Sequence, residues 1–155
     1  MDADDLLEAA RHLASRTGKP RQAFLRRAVG TAYYAMFHCL AKNCADLLIG
    51  GTGAQRSEEA WALVYRALDH GTVRNVCSNS QTMRAFPQHI QDFGNTFVTM
   101  QKKRHDADYD PQCSVFKSAV LADINGVETV LADFEATAMK DRRAFAAAIL
   151  FKKRP

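Results

Sequence analysis

Residues 21–48 read RQAFLRRAVGTAYYAMFHCLAKNCADLL, and this stretch decides the fold. Leu25, Val29, Ala32, Met36 and Leu40 recur at steps of three and four, the period of one helix face. Phe24, Ala28, Ala35 and Cys39 widen that face. A helix that is apolar over most of its circumference sits centrally in a bundle, because several neighbours are needed to cover it. Arg27, Thr31, Tyr34 and His38 share the opposite side at the same spacing. Such a polar stripe lines a cleft or a partner surface, or is a His and Tyr set satisfied inside the bundle.

Outward from this stretch the same period persists, and no sustained alternation of period two marks a strand. A first helix is expected from about Ala3 to Ser15, with early acids favouring its start and Gly18-Lys19-Pro20 breaking it. Gly50-Gly51 ends the central helix, and the connector Gly50–Gln55 lacks the Gly-Lys-Ser/Thr ending of a phosphate loop. Ser57-Glu58-Glu59 starts a helix carrying Trp61, Val64, Tyr65 and Leu68 that stops near Gly71. Thr72 to Thr82 is polar and irregular, with room for one short helix. Pro87 suits a first turn, after which Ile90, Phe93, Phe97 and Met100 continue a stripe begun by Phe86. Pro111 closes that region. Another helix is expected from about Ser114 to Lys140, with Phe116, Val120, Ile124, Val127, Leu131 and Phe134 on its core face, and Asp141 capping a last helix through Phe151. The expected fold is therefore all-α, a bundle of five to six helices in one domain over residues 1–155, with a basic tail from about residue 150.

Composition fits that reading. With 47% hydrophobic and 25% charged residues, the chain has ordinary globular character and length enough for a core without staples. The acidic start Met-Asp-Ala-Asp-Asp does not read as a secretory signal, and no run approaches a membrane span. The four cysteines, without a Cys-x-x-Cys, read as reduced and mostly buried, in a soluble cytoplasmic protein. The net charge of +4 is segregated. No acid lies between Ala9 and Ala45, where Arg11, Arg16, Lys19, Arg21, Arg26, Arg27 and Lys42 fall, while the charged residues of 106–141 are acidic except Lys117 and Lys140. These faces pair or are solvated, or the basic one meets phosphate.

The stripe that follows Pro87 ends in a charge: Arg104 lies four residues after Met100. A buried guanidinium needs a carboxylate or an open cleft beside it. Asp108 is placed to pair with it at i,i+4 if the helix continues. Arg104 is also a candidate phosphate ligand, with His105 or Tyr109 assisting. Asp106, Asp108 and Asp110 imitate the start of a calcium loop, but Pro111 and Lys117 stand where the loop needs glycine and glutamate. His105-Asp106 alone does not make a metal hydrolase site. No metal and no cofactor is expected.

Two segments carry a family resemblance. Arg27-Ala28-Val29-Gly30-Thr31-Ala32-Tyr33-Tyr34-Ala35-Met36-Phe37-His38 resembles a common signature of the HEPN family, and Arg104-His105-Asp106-Ala107-Asp108-Tyr109 resembles the Arg-x-x-Ala-Asp-Tyr element of the same subgroup. Order and separation also correspond, over roughly Arg21 to Phe134. The resemblance implies an up-and-down helical bundle, often a homodimer with a cleft at its interface. It implies either a metal-independent ribonuclease or an inactive companion of a small nucleotidyltransferase in a toxin–antitoxin or defence system. In active members an Arg steadies the phosphate while a His, separated from it by four to six residues, moves a ribose proton. Here the corresponding positions are Tyr109, Asp110 and Pro111, while His105 is adjacent and His38 lies on another helix. The first expectation is therefore an interaction module binding nucleotide or RNA, and the second an RNA endonuclease. Under the resemblance Arg104, His38 and His105 are the candidate catalytic residues, and Arg26, Arg27, Tyr34, Asp108 and Tyr109 the candidate binding residues.

Overall fold

The computed structural model describes residues 1–16, 21–53 and 55–155, and its regular elements are all helices. The expected break at Gly18-Lys19-Pro20 lies outside the described residues. The helices are α1 (Ala3–Ala14), α2 (Gln22–Leu48), α3 (Glu58–Ala67), α4 (His70–Ser78), α5 (Ser80–Met83), α6 (Gln88–Tyr109), α7 (Lys117–Ala136) and α8 (Met139–Leu150). None is long and apolar enough to cross a membrane.

The central position of α2 follows from its composition. It touches α1, α3, α6, α7 and α8, and the whole stripe from Leu25 to Leu40 is buried. The stripe of α6 is buried from Ile90 to Met100, with Phe86 half-buried at its start. Phe93 sits among Phe97, Phe134 and Phe145, its ring centroid 4.6 Å from that of Phe134. Each such aromatic adds about 1.5–3 kcal/mol of burial relative to exposure.

Among the described residues eight helices stand where five to six were expected, and capping chemistry explains the difference. The third helix does not run to Gly71. It stops at Ala67, Leu68 is extended, and the Asp69 carboxylate accepts from the Thr72 amide to start α4. Asn79 repeats the device on the Thr82 amide and starts α5, so the Thr72–Thr82 region is helical over most of its length. An oxygen on a short side chain satisfies amides that lack a partner in the first turn, and each new cap permits a new axis direction.

Two more expectations need correction. α7 spans Lys117–Ala136 rather than 114–140, and Phe116, assigned to its core face, is the N-cap residue and 75% exposed. Asp141 does not cap α8. It lies within the first turn, where its charge favours the helix dipole, and Ala138 occupies the cap position. Ser57, by contrast, caps α3 through its hydroxyl as its sequence context suggests.

The N-terminal half of α2 anchors the end of α6. Gln22 donates to the Val115 carbonyl at 2.8 Å and accepts from the Val115 amide at 2.9 Å. Arg26 donates through Nε to the Ala107 carbonyl at 2.6 Å and through Nη2 to the Asp110 carbonyl. These carbonyls belong to the last turn and C-cap of α6, which lack helical partners. The turn carrying Arg104 and Asp108 is thereby fixed against α2.

Candidate functional site

At Gly30 α2 faces the end of α6. A Cβ placed there would lie 3.8 Å from Arg104 Cγ and 4.0 Å from Asp108 Oδ1. One turn further along α2, Arg104 Nη2 donates to the Tyr34 hydroxyl at 3.0 Å. The guanidinium carbon also lies 5.3 Å from the Tyr34 ring centroid and 5.7 Å from that of Tyr33, within the range of cation–π attraction.

Asp108 supplies the i,i+4 carboxylate, with Oδ2 at 2.9 Å from Arg104 Nε. This contact is ionic rather than a well-formed hydrogen bond, because the buried Nε–H is not aligned on the oxygen. Both side chains keep some access, 21% for Arg104 and 30% for Asp108. The arginine is therefore neither sealed inside nor fully saturated.

Arg104 also borders an open cleft of about 450 Å³ between α4 and α6. Val98, Lys102, His105 and Asp106 line it from α6, and Arg74 from α4. Lys102 holds Asp106 at 2.8 Å. From the cleft the exposed ring of His105 reaches that of Tyr109, their centroids 5.0 Å apart on the last turns of α6.

A histidine that the sequence did not assign to this site reaches it from α4. Capping by Asp69 makes His70 the first residue of that helix. Its ring stacks on Phe37 with centroids 3.8 Å apart and planes 13° apart, and its Nδ1 is 2.6 Å from the Tyr33 hydroxyl. Gln101 donates to its backbone carbonyl at 3.3 Å. Burial, and then the charge of Arg104, hold the His70 pKa below its ordinary value, so the ring is neutral near pH 7. Burial pushes the Tyr33 phenol well above the ordinary range, which keeps its proton in place. The one hydrogen between them lies on the phenol or on Nδ1 according to the tautomer of the ring.

His38 repeats this arrangement with a different tyrosine. Its Nδ1 is 2.5 Å from the Tyr65 hydroxyl, burial lowers its pKa, and burial raises that of Tyr65. Its ring centroid is 6.3 Å from that of Tyr34. It opens, however, onto a separate cavity of about 360 Å³, lined also by Lys42, Asn43, Asp46, Glu135 and Arg142.

The candidate residues therefore separate. Tyr34, Arg104 and Asp108 meet directly. His38 adjoins Tyr34 but faces another cavity, His105 lines the α4–α6 cleft with Arg104, and Tyr109 lies further along α6. Arg26 is spent on α6 carbonyls, whereas Arg27 is exposed and has no acid partner among the described residues. Tyr33, His70 and Arg74 were missed. The one local sign of His70 was Asp69 three residues before Thr72, a capping pattern that places a helix start there. Among the described residues no group of three His, Cys, Asp or Glu side chains is arranged to hold a metal ion. Donors and cations dominate the cleft, a composition suited to an anion. Among protein-family models, curated proteins and solved structures, none matches this chain.

Proposed function

We propose that this chain is a HEPN-like interaction module, an up-and-down bundle that binds the phosphate of a nucleotide or RNA. In this reading it forms a homodimer and serves as the companion of a small nucleotidyltransferase in a toxin–antitoxin or defence system. The observation that carries the proposal is the 3.0 Å contact between Arg104 and Tyr34. It joins the two segments on which the family resemblance rests, at the edge of a cleft with cationic walls. Binding is favoured over cutting by the histidines. In His38 and His70 Nδ1 is engaged by a tyrosine hydroxyl, and His38 opens onto a cavity separate from the Arg104 cleft.

Affinity purification of the tagged chain from its host, with intact-mass measurement, tests the partnership. A copurifying nucleotidyltransferase, or a nucleotide-sized mass increment on Tyr109, supports it. A chain that comes down alone and unmodified, and binds neither labelled nucleotide nor labelled RNA, sinks it.

The second reading is a metal-independent ribonuclease, and the position of His70 favours it. The fold brings into the field of Arg104 a neutral histidine that chain order does not supply. Arg104 would steady the phosphate, with His38, His105 or His70 moving the proton. Incubation with a broad RNA panel in EDTA decides the matter. Cleavage abolished by Arg104→Ala supports this reading, and an intact panel removes it.

A further inference from the structure

We infer that the α4–α6 cleft takes a ligand with two linked phosphates, such as a nucleoside diphosphate, and that Arg74 clamps it from the wall opposite Lys102 and Arg104. The inference rests on the phosphate-binding reading above and deepens it.

The register of the two helices builds the clamp. Val98, Lys102 and His105 recur at four and three residues along α6, so one face of that helix forms one wall. On α4, Val73 is buried while Arg74, the next residue, is exposed on the cleft. The cations on the two walls are not equally committed. Lys102 is held by Asp106, and Arg104 faces Asp108. Arg74 has no acid partner among the described residues. The cleft thus carries one uncompensated cation on one wall and two neutralised pairs on the other.

That imbalance selects the ligand. A lone phosphate on Arg74 leaves the other wall as it is. A second phosphate linked to the first reaches across and competes with Asp106 for the highly exposed Lys102 ammonium, and with Asp108 for the guanidinium. Linked groups that engage two walls bind far more tightly than either alone, because the second contact is intramolecular. A volume of about 450 Å³ accommodates a nucleotide, and Val98 offers an apolar surface within it. It is too small for a folded nucleic acid, although one single strand could thread its open side.

Isothermal titration of the full chain with inorganic pyrophosphate, ADP, AMP and a short oligouridylate tests the clamp. The wild type is expected to bind pyrophosphate and ADP at least tenfold more tightly than AMP. Arg74→Ala should lose roughly tenfold for both, the size of one charge-assisted contact. Because Arg74 is exposed, its melting temperature should not move. Lys42→Ala, which alters the separate His38 cavity, should bind as the wild type does. Undiminished binding by Arg74→Ala overturns the clamp while leaving the phosphate reading intact. Binding of oligouridylate without ADP or pyrophosphate overturns the linked-phosphate assignment and moves the site to RNA. No binding in any arm defeats the clamp and the phosphate reading together.

Discussion

The Tyr33 hydroxyl lies 2.6 Å from Nδ1 of His70, while the next residue, Tyr34, accepts a hydrogen bond from Arg104. Successive side chains on a helix diverge by about 100°, so one pair of tyrosines can tie α2 to two different elements. The first holds the start of α4 and the second the last turns of α6. These two hydroxyls thus tie to α2 both of the helices that border the cleft.

A phenol is a stronger acid than a neutral imidazole N–H, so the tautomer with the phenol donating to Nδ1 is the expected one at both histidines, and it is measurable. Long-range nitrogen–proton spectra at pH 7.5 should show His70 and His38 neutral, with the proton on Nε2 and Nδ1 bare. Tyr33→Phe should release the preference at His70 and leave His38 unchanged. A proton on Nδ1 in the wild type would turn the free nitrogen of His70 into a base, and would shift the balance toward the ribonuclease reading.

Stability should depend on pH through the same residues. The folded pKa of His70 and His38 lies below the ordinary value, with burial the leading cause for both. Between the folded and unfolded values the unfolded chain binds more protons, so stability rises with pH. The contribution is complete above the unfolded value, near pH 6.5, and is lost as pH falls through that value toward the folded one. Groups facing His70 are Tyr33, Tyr34 and His38 from α2, Arg104 and Gln101 from α6, and its neighbour Asp69. Melting curves should show a drop from pH 7.5 to 5.5 that is smaller in His70→Gln. An equal drop in the variant would contradict this assignment.

The long elements were legible in the sequence because their periodicity is strong. The stripe of α2 and the Ile90–Met100 run of α6 read directly from spacing, and so did the Arg104–Asp108 pair once the helix was taken past residue 104. Short elements were not, because glycine was given more weight than capping. Gly71 is not a stop but the second residue of α4, and the break comes earlier at Leu68 and Asp69. Phe116 failed for the opposite reason. It lies four residues before Val120 and continues the pattern, but the helix begins after it. His70 and Arg74 owe their places to packing of α4 on α6, and local sequence carries no record of which helices meet.

Adjacent arginines on α2 should behave differently. Arg26→Ala removes two charge-assisted bonds to the end of α6, and partial exposure limits the cost to about 1–2 kcal/mol. Arg27→Ala removes an exposed cation with no acid partner among the described residues and should change stability by less than about 0.5 kcal/mol. Urea unfolding of both variants measures the contrast. Equal midpoints would show that the α6 cap adds nothing.

Gly30 tests how tightly α2 and α6 approach beside the site. A methyl group there would make ordinary contact with Arg104 Cγ at 3.8 Å and meet nothing closer. Alanine also has the higher helix propensity, by about 1 kcal/mol. Gly30→Ala should therefore raise stability by up to about 1 kcal/mol and leave ligand binding unchanged. Gly94 is tighter: an added Cβ would come within 2.6 Å of Met83 Cε and 3.4 Å of Cys77. The methionine end can swing away, so Gly94→Ala should be close to neutral, whereas Gly94→Val should lose about 1–3 kcal/mol by overpacking. Equal losses for Gly30→Ala and Gly94→Val, read from denaturant midpoints, would refute the difference in spacing.

The four thiols give a probe of the whole fold that is independent of the site. Cys39, Cys44 and Cys77 are buried and free, and Cys113 is partly exposed. Burial pushes the thiols of Cys44 and Cys77 up to about 12 each and raises that of Cys39 as well, where Glu135 adds to the effect. The thiolate is the reactive form, so these three are protected both by access and by ionisation. A disulfide reagent at pH 8 should therefore label one thiol per chain rapidly, and Cys113→Ser should abolish that phase. The other three should react only as fast as the protein opens, and all should appear in denaturant. Rapid labelling of two or more thiols in the native chain would mean that the packing around α2 and α4 is looser than described.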